Sequence, residues 1–185
     1  MANAKNEEIQ LTRDLDAIII PHGSTTRMAK GTRVKILQEL GGSVTVTTEY
    51  GGLYRVDPDN LDALGMEVKA PAAAPEGGAD KPLEERVWDV LRSCYDPEIP
   101  VNIVELGLVY DCRISEPNPE GKREAAIQMT LTAPGCGMGD VLAEDVRKRL
   151  EKLPEIGEAK VEVVFDPPWN QGMMSEAARL QLGFY

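Results

Sequence analysis

The stretch Thr130-Leu131-Thr132-Ala133-Pro134-Gly135-Cys136-Gly137-Met138-Gly139-Asp140 concentrates the reactive chemistry of this 185-residue sequence. Its pattern predicts a strand that ends, a Pro-Gly turn, and a helix that begins. Cys136 falls at or just before that helix, between Gly135 and Gly137, which leave its sulfur uncrowded. The partial positive charge at a helix N-terminus lowers a thiol's pKa, and the thiolate is both nucleophile and metal ligand. Two readings stand for Cys136: a reactive thiol, or a small residue in a tight turn. Cys94 and Cys112 fall near the end of a predicted helix and inside a predicted strand, where free thiols pack as small hydrophobes. Three cysteines at wide spacing, with no CxxC, argue against a secreted disulfide framework. The single histidine, His22, lies far from Cys136 in sequence, so neither a structural zinc nor a Cys–His nucleophile pair is expected.

A second cluster is Asp96-Pro97-Glu98-Ile99-Pro100. In an extended backbone, residues i and i+2 point the same way, so Asp96 and Glu98 read as a carboxylate pair for a metal or a thiol, or else as a solvated helix stop. Asp166-Pro167-Pro168-Trp169-Asn170 is a stiff loop that fixes Trp169 either as a cap on the core or as a docking anchor. Met138, Met173 and Met174 offer adaptable contact surface. Phosphate-loop, GxSxG, HExxH and EF-hand signatures are absent.

The elements that must position these residues divide at one composition shift. Residues 70–82 are ten Ala, Pro or Gly out of thirteen and read as a linker. Residues 1–69 before it read as a small all-β domain. Short β-branched runs (Ile18-Ile19-Ile20, Val34-Lys35-Ile36, Val44-Thr45-Val46) alternate with Gly41-Gly42 and Gly51-Gly52, and four to five strands of this kind predict an SH3-like barrel. Arg27 to Lys35 carries four cations and no acid, which reads as a solvated strand face or as a patch for an acidic partner. Residues 83–185 after the linker alternate. A helix over 82–94, strands over 106–114 and 125–131, a helix through Leu142, Val146, Leu150 and Leu153, a strand over 159–165 and a short helix over 175–182 follow in order. That order predicts an open α/β sandwich with helices on a mainly antiparallel sheet.

Composition sets the boundaries. Apolar residues are 42% and charged residues 28%, a globular balance. The formal charge of −11, from 20 Lys plus Arg against 31 Asp plus Glu, speaks against non-specific nucleic-acid or acidic-lipid binding. No apolar run approaches the roughly 20 residues that span a bilayer. The polar start Met1-Ala2-Asn3-Ala4-Lys5 lacks a signal-peptide pattern, so a cytoplasmic protein is expected.

Asp96 to Tyr110 (DPEIPVNIVELGLVY), Thr130 to Cys136 (TLTAPGC), Phe165 to Trp169 (FDPPW) and Met173 to Glu176 (MMSE) closely resemble, in order, the opening, cysteine-loop and closing motifs of the MIP18 family, also called DUF59. Gly31-Thr32-Arg33-Val34, Leu40 to Val46 and Leu61 to Gly65 look like the extra domain of bacterial members of the SufT type. The resemblance implies a compact α/β domain and a role in maturing iron–sulfur proteins, as a cluster assembly or targeting factor rather than an enzyme. It implies Cys136 as the functional thiol and candidate cluster ligand, and Asp96 and Glu98 as the acidic motif and further metal candidates. Thr130, Thr132, Gly135 and Gly137 would support the loop. A labile cluster or iron would be bound transiently, and the partners would be Suf-type assembly machinery, client apo-proteins and a second copy of the chain in a homodimer. Three roles remain open: a transient carrier with Cys136 as ligand, an adaptor that docks clients without touching the cluster, and a thiol enzyme.

Overall fold

The computed structural model describes residues 8–67, 81–96, 98–135 and 137–184. The chain divides into two compact units, Met1–Ala72 and Ala73–Tyr185. Residues 70–80 of the expected linker lie outside the described residues.

The first unit is built from β1 (Glu8–Gln10), β2 (Leu15–Ile20), β3 (Thr25–Met28), β4 (Arg33–Leu40), β5 (Ser43–Thr48) and β6 (Gly51–Val56), followed by a 3-10 helix, Pro58–Leu64. Gly41 and Gly42, with φ of 58° and 84°, make the two-residue turn between Leu40 and Ser43 that joins β4 to β5. Positive φ at both turn positions matches the right-handed twist of paired strands and favours glycine. Along β4, Val34 and Ile36 alternate inward and meet Val44, Val46 and Val56 in one core cluster. The strand order is β1-β4-β5-β6-β2-β3, with every neighbouring pair antiparallel. The sequence pattern predicts a small SH3-like barrel; among the described residues the ladder does not close, β1 pairing only with β4 and β3 only with β2.

The second unit follows the predicted order. It contains α1 (Leu83–Arg92), β7 (Val109–Ile114), β8 (Arg123–Met129), α2 (Gly139–Leu150), β9 (Ile156–Val163), a 3-10 turn at Gln171–Met173 and α3 (Glu176–Leu182). Ala125, Ile127 and Met129 of β8 point into one core with Val87, Val90 and Leu91 of α1 and Leu142, Val146 and Leu150 of α2. Burying each large aliphatic side chain there contributes about 1.5–3 kcal/mol. The opposite sheet face is polar, with Lys160 bonded to Glu124 at 2.6 Å and Gln128 to Glu162 at 3.0 Å. The sheet differs from the mainly antiparallel one expected. β7 pairs antiparallel with β8, but β8 pairs parallel with β9, because α2 fills the crossover and returns the chain in the same direction. Among the described residues, no helix is long and apolar enough to cross a membrane.

A strand was expected from Leu106, but β7 begins at Val109. The intervening backbone turns at Gly107, where φ is +71°. A Cβ there would collide with the Met173 carbonyl, so the glycine admits a close approach of the segment that follows β9. That segment, Phe165 to Ser175, straps across the turn. The Trp169 indole N–H donates to Leu106 O at 2.8 Å, the Tyr110 hydroxyl to Pro167 O at 2.8 Å, and the Ser175 N–H to Glu105 O at 2.9 Å. Replacing Gly107 with Ala forces a clash and a strained φ together, and the expected loss of stability exceeds about 2 kcal/mol. Urea unfolding checks this: a G107A midpoint equal to wild type would show that the strap yields without cost.

Candidate functional site

The opening motif is two successive side-chain-capped turns. Asp96 Oδ1 accepts the N–H groups of Glu98 and Ile99, each at 2.9 Å. Asn102 Oδ1 accepts those of Val104 and Glu105 at 3.1 and 2.9 Å. Such caps are what Asp and Asn do best in turns, because the short side chain reaches its own backbone two residues on. An antiparallel bridge pairs Tyr95 with Asn102, and the Ile103 N–H donates to Cys94 O at 2.9 Å, closing the loop between the caps. The turn breaks the expected carboxylate pair. Asp96, the acceptor of its capped turn, is 7% exposed, while Glu98 is exposed. Pro97 lies outside the described residues. Burial pushes the Asp96 carboxyl above the ordinary carboxylate range, against the two N–H bonds that favour its ionised form.

The cysteine loop is rooted on the same segment. The Thr130 N–H donates to Leu108 O at 2.8 Å. Thr130 is fully buried, and its Oγ1 has no hydrogen-bond partner among the described residues. Thr132 is half-buried, and Gly135 and Gly137 are exposed, Gly135 with φ of +79°. At the far end Met138 is buried and caps α2 without a side-chain bond. A Cβ on Gly139 would come within 2.5 Å of Leu131 Cδ1, so a glycine lets the helix start press against the strand end. Gly137 and Met138 separate position 136 from the first residue of α2. Cys136 itself lies outside the described residues.

The other candidates occupy different settings. Cys94 is fully buried, with its sulfur 3.5 Å from Val90 O. Cys112 is half-buried in β7, and burial, reinforced by the charges of Glu84 and Asp111, pushes its thiol up to about 11. His22 sits exposed in the turn after β2, in the first unit. Trp169 packs against the core with its N–H committed to Leu106 O; the exposed aromatic of that loop is Phe165. Met138 and Met174 are buried and Met173 half-buried, so the methionines pack inward rather than forming an open contact surface. The cationic run meets local acids, Arg27 with Asp14 at 3.4 Å and Arg33 with Glu8 at 3.7 Å, which favours the solvated strand face. Among the described residues, no group of three or more His, Cys, Asp or Glu is placed to hold a metal. Sequence reasoning passed over Asn102, Gly107 and Tyr110. Only Asn102 carried a local signal, an Asn three residues before a Glu in a turn-rich stretch.

Two outcomes are expected. Cys94 and Cys112 stay unmodified by iodoacetamide in the native protein near neutral pH, since the thiolate is the reactive form; peptide mapping that finds either labelled as fast as Cys136 would contradict the assignment. Asp96 binds its proton to a higher pH when folded than when unfolded. The folded state therefore holds more protons in that interval, and the Asp96 contribution to stability falls as pH rises through it. Relative to Asp96→Asn, wild type should lose ground in urea midpoint from acidic to neutral pH, and a constant difference would refute the buried, proton-retaining carboxyl.

Residues 84–163, wholly inside the second unit, match a family described as iron–sulfur cluster assembly protein. Over 101 residues the chain is 43% identical to the Fe-S protein maturation auxiliary factor of Porphyromonas gingivalis, covering 55% of this chain and 91% of that protein. Over 104 residues it is 38% identical to the Fe-S protein maturation auxiliary factor YitW of Bacillus subtilis, covering 56% and 97%. A crystal structure of a DUF59 domain from Bacillus anthracis is 38% identical, covers 56% of this chain and 93% of that one, and superposes with a TM-score of 0.48. With 43% identity along nine-tenths of a relative, the chain belongs to the MIP18 (DUF59) family of iron–sulfur cluster assembly proteins.

Proposed function

We propose that this chain is an iron–sulfur protein maturation factor that holds a cluster or iron transiently through the Cys136 thiolate and passes it to client apo-proteins. The observation that carries this reading is the fate of the other two thiols. Cys94 is sealed in the core and Cys112 is held protonated, which leaves Cys136 as the sulfur for the task. Relatives named as Fe-S protein maturation auxiliary factors support it. A cluster takes thiolate ligands, usually four, and one chain supplies one. Ligation is completed across a homodimer or by the client's own cysteines, and this incomplete hold suits cargo that must leave. Exposed Glu98 offers a hard oxygen for iron. The role is that of a factor rather than an enzyme, acting in the cytoplasm with Suf-type machinery, while the all-β first unit, of SH3-like strand pattern, serves partner contacts.

A second reading, an adaptor that docks clients to the machinery without binding cargo itself, fits the relatives named as auxiliary factors.

Iron and acid-labile sulfide per chain, measured after anaerobic reconstitution of wild type and Cys136→Ser, separate the two. Stoichiometric iron and sulfide in wild type, lost in the variant, is the expected outcome. Iron without sulfide would make this an iron-handling site and bring Glu98 forward. Equal and empty preparations would sink the carrier reading in favour of the adaptor.

A further inference from the structure

We infer that Asp96 is a positioning residue, not a metal ligand: its carboxylate caps the opening turn and, through that turn, sets the root of the cysteine loop. The inference rests on the carrier reading for its loading arm alone. Asp96 Oδ1 is occupied by two backbone N–H groups at 2.9 Å, and the residue is 7% exposed. Among the described residues no cation forms an ion pair with it, and no group of three or more His, Cys, Asp or Glu includes it. Asn102, six residues on, makes the same two-bond cap with a neutral amide. The chain therefore performs this task once with a charge and once without one, so the cap itself needs an acceptor oxygen and not a carboxylate. What the cap holds is specific. The turn from Asp96 runs through the Asn102 cap into Leu106, Gly107 and Leu108, and Leu108 O receives the Thr130 N–H at 2.8 Å. Loosening the turn therefore loosens the support on which the Thr130–Gly139 loop is built.

The test compares full-length wild type, Asp96→Asn, Asp96→Ala and a control, Asn118→Ala. Asn118 Oδ1 caps the β7–β8 hairpin through Glu120 and Lys122, at the end of β8 opposite the cysteine loop. Three quantities are read: amide hydrogen exchange at Glu98 and Ile99, the alkylation rate of Cys136, and iron and sulfide per chain. D96N should match wild type in all three. D96A should exchange those two amides about tenfold faster, as loss of a double acceptor implies, and should change Cys136 alkylation and lower loading. N118A should lose stability without moving the Cys136 rate or the loading, which excludes a general effect of weakening the fold. D96N with protected amides and lost loading would overturn the inference, because the charge would then be what matters. So would D96A that leaves amides and alkylation unchanged. Where D96A does not fold, Asp96→Ser, with a shorter acceptor, takes its place and should fall between D96N and wild type on one side and the uncapped turn on the other. Wild type that loads neither iron nor sulfide defeats the carrier reading alone, and exchange and alkylation still decide the cap.

Discussion

Three backbone carbonyls within four residues hold the second unit together around its site. Glu105 O takes the Ser175 N–H, Leu106 O takes the Trp169 indole, and Leu108 O takes the Thr130 N–H. The first two bind the strap that follows β9, and the third binds the start of the cysteine loop. A carbonyl buried without a partner costs free energy comparable to a lost hydrogen bond, so these pairings are requirements of the packed state. Gly107, between the second and third, is the residue that makes them compatible. Its positive φ turns the chain, and its missing side chain lets the Met173 backbone come close. The motifs at the start, middle and end of this domain are thus parts of one hydrogen-bonded junction.

The same junction explains how thiol chemistry is distributed. Cys94 lies two residues past α1, where its carbonyl accepts the Ile103 N–H and the core encloses its sulfur. Cys112 lies on an edge strand but beside Asp111 and within reach of the charge of Glu84, so negative charge and burial act together against its thiolate. Since the thiolate is the reactive form of cysteine, the fold lowers the reactivity of both described cysteines.

Much of the fold was legible because it obeys short-range rules. The apolar stripe Val87, Val90 and Leu91 marked α1, the alternation of Ala125, Ile127 and Met129 marked β8, and Gly41-Gly42 marked a hairpin. What stayed hidden was non-local. Leu106-Gly107-Leu108-Val109 reads as one strand until Met173, 66 residues later, bends it at the glycine. The parallel entry of β9 depends on α2 filling the crossover, which periodicity does not report. β1 and β3 are short, and Thr25-Thr26-Arg27-Met28 lacks an apolar run, so both edges escaped notice. Within the site, the residue types of Asp96 and Glu98 were readable but their opposite exposures were not, because it is the side-chain cap that turns Asp96 inward.

The strap has a consequence for the order of events during synthesis. Its bonds to Leu106 and Tyr110 link residues 63 and 57 positions apart, so neither exists until Pro167 and Trp169 have left the ribosome. Contacts of such separation form late and pay their loop-closure entropy first. A nascent chain that already exposes its thiol loop still lacks the junction beneath it. The strap side of the junction is therefore completed only after Pro167 and Trp169 are made, later than the cysteine loop it adjoins.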